Sequence, residues 1–142
     1  MKILHIIIGL NVGGAELMLK RLIESYKMKS GYEHSVVSLT DLGRIGSLLQ
    51  ESGIEVTMLG MRGGFDVPGV LYRLVSIIRQ KKPDIVQTWM YHADLLGGLA
   101  AWLCGCRSII WGVRTTDVSF GGSKATIVIR KVCALLSHVI PN

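Results

Sequence analysis

Hydrophobic and polar positions along the chain fall into two kinds of segment that alternate. Short runs of β-branched and other apolar residues are followed by longer segments in which apolar residues recur every three or four positions. The first kind is typical of strands and the second of amphipathic helices. The pattern predicts six strands, at residues 2–8, 34–40, 54–59, 84–89, 108–113 and 138–140. It predicts five helices between them, at residues 14–28, 44–52, 67–82, 92–104 and 122–137.

In three of the predicted helices, particular residues indicate the buried face or the position of a helix end. The first is predicted to bury one apolar stripe, made of Ala15, Met18, Leu19, Leu22, Ile23 and Tyr26. Gly53 is predicted to end the second helix, because glycine readily adopts the left-handed conformation found there. Asp66 is the expected N-cap of the third helix, and Pro83 should end it.

This alternation of strands and helices predicts one α/β domain over residues 1–142. We expect a Rossmann-like, doubly wound parallel sheet of about six strands, because strand–helix–strand units cross over with a right hand. The first, fourth and fifth strands are mostly continuous apolar runs, as expected of strands covered on both faces. Such sheets bind ligands beyond the carboxyl ends of their strands, where the strand order reverses. The loops of interest are therefore residues 9–16, 88–94 and 112–121.

The first of these loops is rich in glycine and opens a helix. Gly13 and Gly14 allow close backbone approach to a ligand, and the amide groups at a helix start favour an anion. The spacing matches neither the dinucleotide-binding nor the P-loop pattern. Both glycines are candidate contacts to a diphosphate, and a merely tight turn is the alternative. Glu16 complements the helix dipole by itself and would repel an anion unless it points away.

The second loop brings aromatic and titratable side chains to the end of the fourth strand. Trp89, Tyr91 and His92 are candidate substrate contacts there. The imidazole of His92 could hydrogen-bond a sugar hydroxyl or transfer a proton near neutral pH. A packed or helix-capping His92 is the alternative, and Asp94 is interpreted as a first-turn carboxylate rather than a catalytic group.

The third loop follows the fifth strand and contains Arg114, Thr115 and Asp117. A guanidinium at the carboxyl end of a strand suits a phosphate or a developing oxyanion. A surface pair of Arg114 and Asp117 is the alternative. Three loops that converge from three strands are a stronger signal than any one of them.

Charge and cysteine content narrow the possible partners. The formal net charge is +6, and all of the excess lies in residues 72–142. That distribution allows an anionic membrane, a nucleic acid or a phosphorylated substrate. Nucleic acid is disfavoured, because the few aromatic residues do not alternate with the basic ones. Three cysteines, without a second ligand pair, predict reduced thiols rather than a zinc site or a disulfide framework, and no other metal motif is present.

At these residues the sequence resembles the N-terminal domain of a family 4 glycosyltransferase with the two-domain GT-B fold. The resemblance rests on Gly13-Gly14-Ala15-Glu16, on DIVQTWMYHADLLGGLAA at residues 84–101, on IIWGVRTTD at residues 109–117 and on HVIPN at residues 138–142. It covers essentially the whole chain. It implies that this chain is the acceptor-side domain, and that a C-terminal domain absent from the chain holds most of the nucleotide-sugar.

The resemblance also implies a reaction. Such enzymes transfer a sugar from a nucleoside-diphosphate sugar to an acceptor hydroxyl with retention of configuration and without a bound metal or cofactor. Gly13 and Gly14 would approach the donor diphosphate. Many relatives have a histidine where this chain has Arg114, so His92 and Arg114 are the expected catalytic residues. The acceptor would be a glycan or glycolipid of polysaccharide or glycolipid assembly, and the isolated domain is expected to be inactive.

The basic helix residues also predict where the protein acts. We expect a cytoplasmic protein with peripheral contact to an anionic membrane through basic helix residues, namely Arg73, Arg79, Lys81, Lys82, Lys124, Arg130 and Lys131. A solvated helix face is the alternative. Two other functions stay open, namely one half of a sugar-nucleotide epimerase and a non-catalytic nucleotide-binding or scaffold module.

Overall fold

A computed structural model describes residues 1–112 of the chain. Within them the chain alternates strand and helix from β1 to β5. The strands are β1 (Lys2–Ile7), β2 (Glu33–Ser38), β3 (Glu55–Met58), β4 (Ile85–Trp89) and β5 (Ile109–Gly112). The helices are α1 (Gly14–Tyr26), α2 (Gly43–Glu51), α3 (Val67–Lys81), which follows a short 3₁₀ turn at Gly64–Asp66, and α4 (Tyr91–Leu103).

The five strands form one parallel sheet in the order β3-β2-β1-β4-β5. The chain builds outward from β1 to β3, returns through α3, and continues on the other side of β1. The strand order therefore reverses between β1 and β4. This confirms the predicted Rossmann-like, doubly wound α/β fold, with five strands described. The sixth predicted strand, residues 138–140, and the helix at residues 122–137 lie outside the described residues.

Two helical layers cover the sheet, and the alternation of side chains along the strands decides which layer each residue meets. Ile7 and Val36 pack with buried residues of α1 and α2. Leu4, Ile6 and Val86 pack with buried residues of α3 and α4 on the opposite face. Because both faces are buried, these strands are nearly continuous apolar runs in the sequence. No helix within residues 1–112 has the length and apolar character needed to cross a bilayer.

Two local expectations differ from the structure. Met18, assigned to the buried stripe of α1, has 40% of its surface exposed, whereas Leu19 and Ile23 are buried. The cause is that the sheet contacts a narrower sector of the helix than the apolar pattern covers. Asp66 stands at the N-cap of α3 but makes no capping bond. Its carboxylate instead accepts hydrogen bonds from the backbone N–H groups of Arg62 and Gly63.

The other helix-end predictions are confirmed. Gly53 has a φ of +86° directly after the C-cap of α2. The third helix ends at Lys81, two residues before Pro83. Lys82 caps it in the left-handed conformation, with φ 47° and ψ 59°.

Candidate functional site

The carboxyl ends of β1 and β4 lie side by side at the centre of the sheet. Their register pairs Ile7 with Trp89, so the two strands end at the same level. β5 follows next to β4, and Trp89 is in register with Gly112. The loops after the first, fourth and fifth strands therefore leave one edge of the sheet from adjacent positions. The first two start on either side of the point where the strand order reverses, which is where doubly wound sheets bind ligands.

The loop between β1 and α1 is held by the loop between β2 and α2. The backbone N–H of Thr40 donates to the Ile8 carbonyl over 2.9 Å, and its hydroxyl donates to the same oxygen over 2.6 Å. Further out, the Asn11 side-chain amide donates to both carboxylate oxygens of Asp41 over 3.3 Å. These bonds extend the pairing of β1 with β2 past the strand ends and fix the direction in which the loop leaves the sheet.

Gly43 allows the start of α2 to approach the loop after β1 closely. It has a φ of +54°, and a Cβ atom at this position would collide with the backbone of Leu10 and Asn11. The N–H of Ile45 donates to the Leu10 carbonyl over 2.8 Å at the same crossing. Any other residue at position 43 would push α2 away from the first loop. The sequence around position 43 does not reveal this crossing, and the one signal that it offers is an isolated glycine at a helix start.

The N-terminus of α1 has one covered position and one open position. Gly13 is the extended N-cap, and no side chain caps the helix. The Glu16 carboxylate folds back against Gly13, so it does not point away from the helix start. Gly14 is different, because no described atom lies within 4 Å of the place that a Cβ would take. The exposed amide end of α1 is therefore approachable at Gly14, beside a carboxylate.

The turn between β4 and α4 is strained at Met90. This residue has a φ of 72° and a ψ of 158°, a region that is essentially reserved for glycine. Its N–H donates to the Gly112 carbonyl over 3.3 Å, which ties the turn to the end of β5. Gly112 is required there, since a Cβ would lie 2.7 Å from the Thr88 carbonyl oxygen. A strained residue of this kind costs on the order of 1–3 kcal/mol and is typical of functional turns.

Below this turn lies a buried carboxylate. Asp94 is 1% exposed, and its Oδ1 accepts a hydrogen bond from the Thr88 hydroxyl over 2.5 Å. Its Oδ2 is buried and has no hydrogen-bond partner among the described residues. Burial raises the pKa of Asp94 to about 6, and the bond from Thr88 opposes that shift in part. The interpretation of Asp94 as a first-turn carboxylate gave its position in α4 (Tyr91–Leu103) correctly, but not its burial.

The three predicted contacts after β4 face different surroundings. His92 and Tyr91 are half-buried in the first turn of α4, at the edge where the loops meet. Trp89 is only 2% exposed and belongs to the core on the α1 and α2 side of the sheet. Its indole N–H donates to Nδ1 of His5 over 3.4 Å. The structure thus brings Tyr91 and His92 to the edge and places Trp89 beneath it.

His5, in the middle of β1, is fully buried in the core. Its Nε2 lies 3.0 Å from Nδ1 of His34, whose own Nε2 is buried without a partner in the described part of the chain. Burial and the neighbouring His34 together lower the pKa of His5 to about 3. These neutral imidazoles support β1 from inside and do not reach the candidate site.

The remaining predicted site residues, Arg114, Thr115 and Asp117, lie outside the described residues. The strand that leads to them ends at Gly112, on the same edge as the other two loops. Within residues 1–112, no three His, Cys, Asp or Glu side chains are close enough together to hold a metal ion.

The family described as Glycosyltransferase Family 4 matches residues 12–142. No curated protein matches the chain.

Several solved structures share its fold. HepE from Anabaena, in complex with UDP-glucose, superposes with a TM-score of 0.76 at 18% identity, over 99% of this chain and 36% of HepE. MurG from Acinetobacter baumannii superposes with a TM-score of 0.63 at 19% identity, over 93% of this chain and 39% of MurG. UDP-GlcNAc 2-epimerase from Methanocaldococcus jannaschii superposes with a TM-score of 0.66 at 17% identity, over 96% of this chain and 38% of the epimerase. The chain therefore spans a little over a third of the length of each.

Proposed function

This chain belongs to glycosyltransferase family 4, and from that membership we propose that it is the acceptor-side domain of a two-domain glycosyltransferase. The reaction is transfer of a sugar from a nucleoside-diphosphate sugar to an acceptor hydroxyl. A second domain carries most of the nucleotide-sugar contacts and closes over the edge where the loops meet. The length comparison supports this arrangement, because the chain covers 36% of HepE, which was solved with UDP-glucose. By the same reasoning, these 142 residues alone do not turn over.

The observation that carries this proposal is the open amide end of α1 at Gly14. An uncapped helix start offers free N–H donors and a positive dipole end to a diphosphate. The position lies next to the reversal point of the strand order, where such ligands bind. In our proposal, Gly13 and Gly14 approach the donor diphosphate. Glu16 accepts a hydrogen bond from a donor hydroxyl, because its carboxylate would repel the phosphates.

The remaining residues complete the proposed reacting centre. His92, half-buried in the first turn of α4, hydrogen-bonds the transferred sugar, and Tyr91 contacts donor or acceptor. Arg114 stabilises the negative charge that develops on the leaving diphosphate, with Thr115 and Asp117 beside it. Trp89, which the sequence suggested as a ligand contact, supports the end of β4 from inside the core.

We further propose that transfer retains configuration and needs neither a metal ion nor a cofactor. Amide donors and a guanidinium would supply the stabilisation of the leaving group that a divalent cation supplies elsewhere. Closure of the second domain would exclude water and prevent hydrolysis of the donor. The acceptor is a glycan or glycolipid, and the enzyme acts in the cytoplasm, at the inner face of the membrane when the acceptor is a lipid.

The test replaces Gly14 by alanine in the two-domain enzyme, after a thermal-shift screen of nucleotide-sugars has identified the donor. A methyl group there meets open space in the folded domain, so stability stays the same or rises by up to about 1 kcal/mol. With the diphosphate against this backbone, the methyl group displaces it, and kcat/KM for the donor falls about tenfold or more.

Gly69→Ala is the matched control. Gly69 lies in the first turn of α3 and likewise has open space around a Cβ position, but it belongs to none of the loops after β1, β4 and β5. The control variant should keep full activity. Equal activity of Gly14→Ala and the natural protein would contradict the placement of the donor at this helix.

An epimerase half is the second candidate, and a specific observation favours it. The UDP-GlcNAc 2-epimerase fold superposes on this chain about as well as MurG does, with TM-scores of 0.66 and 0.63. The two activities differ in their need for an acceptor. An epimerase converts the sugar-nucleotide alone, whereas a transferase releases the nucleotide and consumes an acceptor. Absence of any turnover by the two-domain protein would favour a non-catalytic module.

A further inference from the structure

A cavity at the amino edge of the sheet, opposite the candidate site, is lined by two thiols and two cations. Its volume is about 370 Å³, and it lies where α3 and α4 end. The side chains that give it chemical character are Arg79, Lys82, Cys104 and Cys106. None of them takes part in the proposed glycosyl transfer.

The turn after α4 keeps both cysteines at this cavity. Gly105, between them, has a φ of +73°. The N–H of Gly105 donates to the Trp102 carbonyl and that of Cys106 to the Ala101 carbonyl, each over 2.9 Å. These two bonds define a regular helix ending that reverses the chain at the glycine. The reversal leaves Cys104 on the last turn and Cys106 on the exit, both free and both half-buried.

The two thiols are in different environments. Cys104 lies against α3, where its Sγ donates to the Val75 carbonyl over 3.6 Å. Burial raises the pKa of Cys104, and the nearby Arg79 guanidinium counters that only in part. Cys106 lies at the mouth of the turn, with its Sγ 3.9 Å from the Ser108 carbonyl oxygen. Cys106 is therefore the better placed thiol for attack on a molecule from solvent, with Cys104 behind it.

The two cations have no carboxylate partner in the part of the chain that is described. The ion pairs found over residues 1–112 join Lys20 to Glu24 and Lys81 to Glu55. Arg79 and Lys82, in contrast, face the cavity beside the thiols. Reactive cysteines are typically found in such partly exposed, electropositive surroundings. The cations also make the cavity a suitable place for a ligand with carboxylates.

We propose that Cys104 and Cys106 form a redox-active dithiol that exchanges with small anionic disulfides of the glutathione type, whose carboxylates Arg79 and Lys82 bind. In the first step the Cys106 thiolate attacks one sulfur of glutathione disulfide. The glutathione S–S bond breaks, a mixed disulfide forms, and a glutathione thiolate leaves and takes up a proton. In the second step the Cys104 thiolate attacks the Cys106 sulfur and releases the second glutathione. Two protein thiols are oxidised, and one glutathione disulfide is reduced to two thiols.

The test uses the 142-residue chain with Cys133→Ser, because Cys133 lies outside the described residues and could otherwise exchange. After treatment with glutathione disulfide, intact-mass analysis should show loss of two hydrogens and no lasting adduct. Peptide mapping should place the new bond between Cys104 and Cys106. With Cys104→Ser added, the mixed disulfide should accumulate on Cys106, since the second thiol is missing. Reduced glutathione in excess should reverse both products.

The role of the cations is tested by Arg79→Gln combined with Lys82→Gln. The rate with glutathione disulfide should fall about threefold to tenfold, as expected for the loss of two nearby charges. The rate with the neutral probe hydroxyethyl disulfide should stay unchanged. Arg21→Gln with Lys27→Gln, on exposed positions of α1 and its C-cap, is the matched control and should change neither rate.

Three results would overturn the proposal. One is a lasting glutathione adduct in the protein that retains both thiols, which would mean that Cys104 does not reach Cys106. Another is equal loss of rate with the charged and the neutral disulfide in the Arg79 and Lys82 variant. The third is that the protein of natural sequence does not react with glutathione disulfide. This result does not depend on whether any variant folds. None of these experiments uses a nucleotide-sugar, so their outcome is separate from that of the proposed function.

Discussion

At this edge of the sheet, the buried side chain of Asp94 lowers the stability of the folded protein when it is ionised. A carboxylate that is 1% exposed has one oxygen on the Thr88 hydroxyl and the other without a described partner. An ionised group so placed opposes folding, because burial disfavours its charged form. An apolar residue would pack there without that cost, so the carboxylate is a candidate for a supporting role in the turn that presents His92.

The cost of this carboxylate predicts a specific pH dependence for Asp94→Asn. The pKa of Asp94 is raised from 3.8 to about 6 in the folded protein. Between these values the folded state binds more protons than the unfolded state, so this group makes the protein more stable as pH falls through 6. Relative to the natural protein, the asparagine variant should therefore gain free energy of unfolding on going from pH 4 to pH 8. A shift of this size corresponds to at most about 3 kcal/mol.

Urea unfolding of both proteins at several pH values measures that difference. The asparagine side chain can still accept the Thr88 hydroxyl bond, and any constant cost of its buried amide cancels between the two pH values. The falling pH also charges His5, whose lowered pKa makes the folded protein less stable in acid. That effect is common to both proteins and does not alter the comparison. If the difference in free energy of unfolding between the two proteins does not change with pH, the pKa of Asp94 is not raised in the folded protein.

At the scale of whole elements, the sequence predicts most of the fold, because strands and helices follow the period of apolar residues. The predicted helix at residues 67–82 corresponds to α3 within one residue at its end, and its buried positions Val70, Leu74 and Ile78 recur every four residues, as the helical period requires. Contacts between loops were not predictable in the same way. Close approach of Gly43 to Leu10 depends on where two distant segments meet, which no local pattern encodes.

The candidate site was predictable to the same extent as the fold. Parallel strands end at one edge, so the positions of Gly14 and His92 on that edge followed from the order of the elements. The direction of each side chain did not follow. Trp89 is the last residue of β4, and the alternation of a strand decides that it faces the core under α1. The strain at Met90 is equally invisible to sequence, since methionine has no preference for φ near 72°.

The surface of α3 and of the loop before it carries the prediction of membrane contact. Residues 59–83 contain five Lys or Arg and one Asp, Phe65 is fully exposed, and Tyr72 is largely exposed. Lys81 is paired with Glu55 over 2.6 Å, so it contributes less than the sequence suggested. An exposed aromatic residue amid cations suits the interface of an anionic bilayer.

Sedimentation with vesicles tests this element. Binding of the chain to vesicles of anionic lipid should exceed binding to zwitterionic ones and weaken with salt. Phe65→Ser should reduce it several-fold, whereas Met28→Ser, which alters a side chain 94% exposed at the far end of α1, should not. If vesicle binding does not depend on lipid charge, on salt or on Phe65, the exposed face of α3 is a solvated helix face with no membrane contact.

At the scale of the whole molecule, the central claim is that the loops after β1 and β4, with the segment after β5, form one wall of a donor-binding cleft. Three features of residues 1–112 fit that claim, namely the open helix start at Gly14, the strained turn at Met90 and the shared edge of the sheet. This chain spans only 36–39% of the length of the solved structures that share its fold. The opposite wall therefore belongs to the second domain that we propose.

Hydrogen–deuterium exchange of the two-domain protein, with and without its nucleotide-sugar, shows whether the donor binds against these loops. We expect slower exchange at residues 9–16 and 90–94 when the donor is bound, because these segments line the proposed cleft and its closure reduces their opening to solvent. Residues 104–108, at the opposite edge of the sheet, should exchange at the same rate in both states. If donor binding leaves exchange at residues 9–16 and 90–94 unchanged, or slows it at the opposite edge instead, the cleft does not lie at this edge of the sheet.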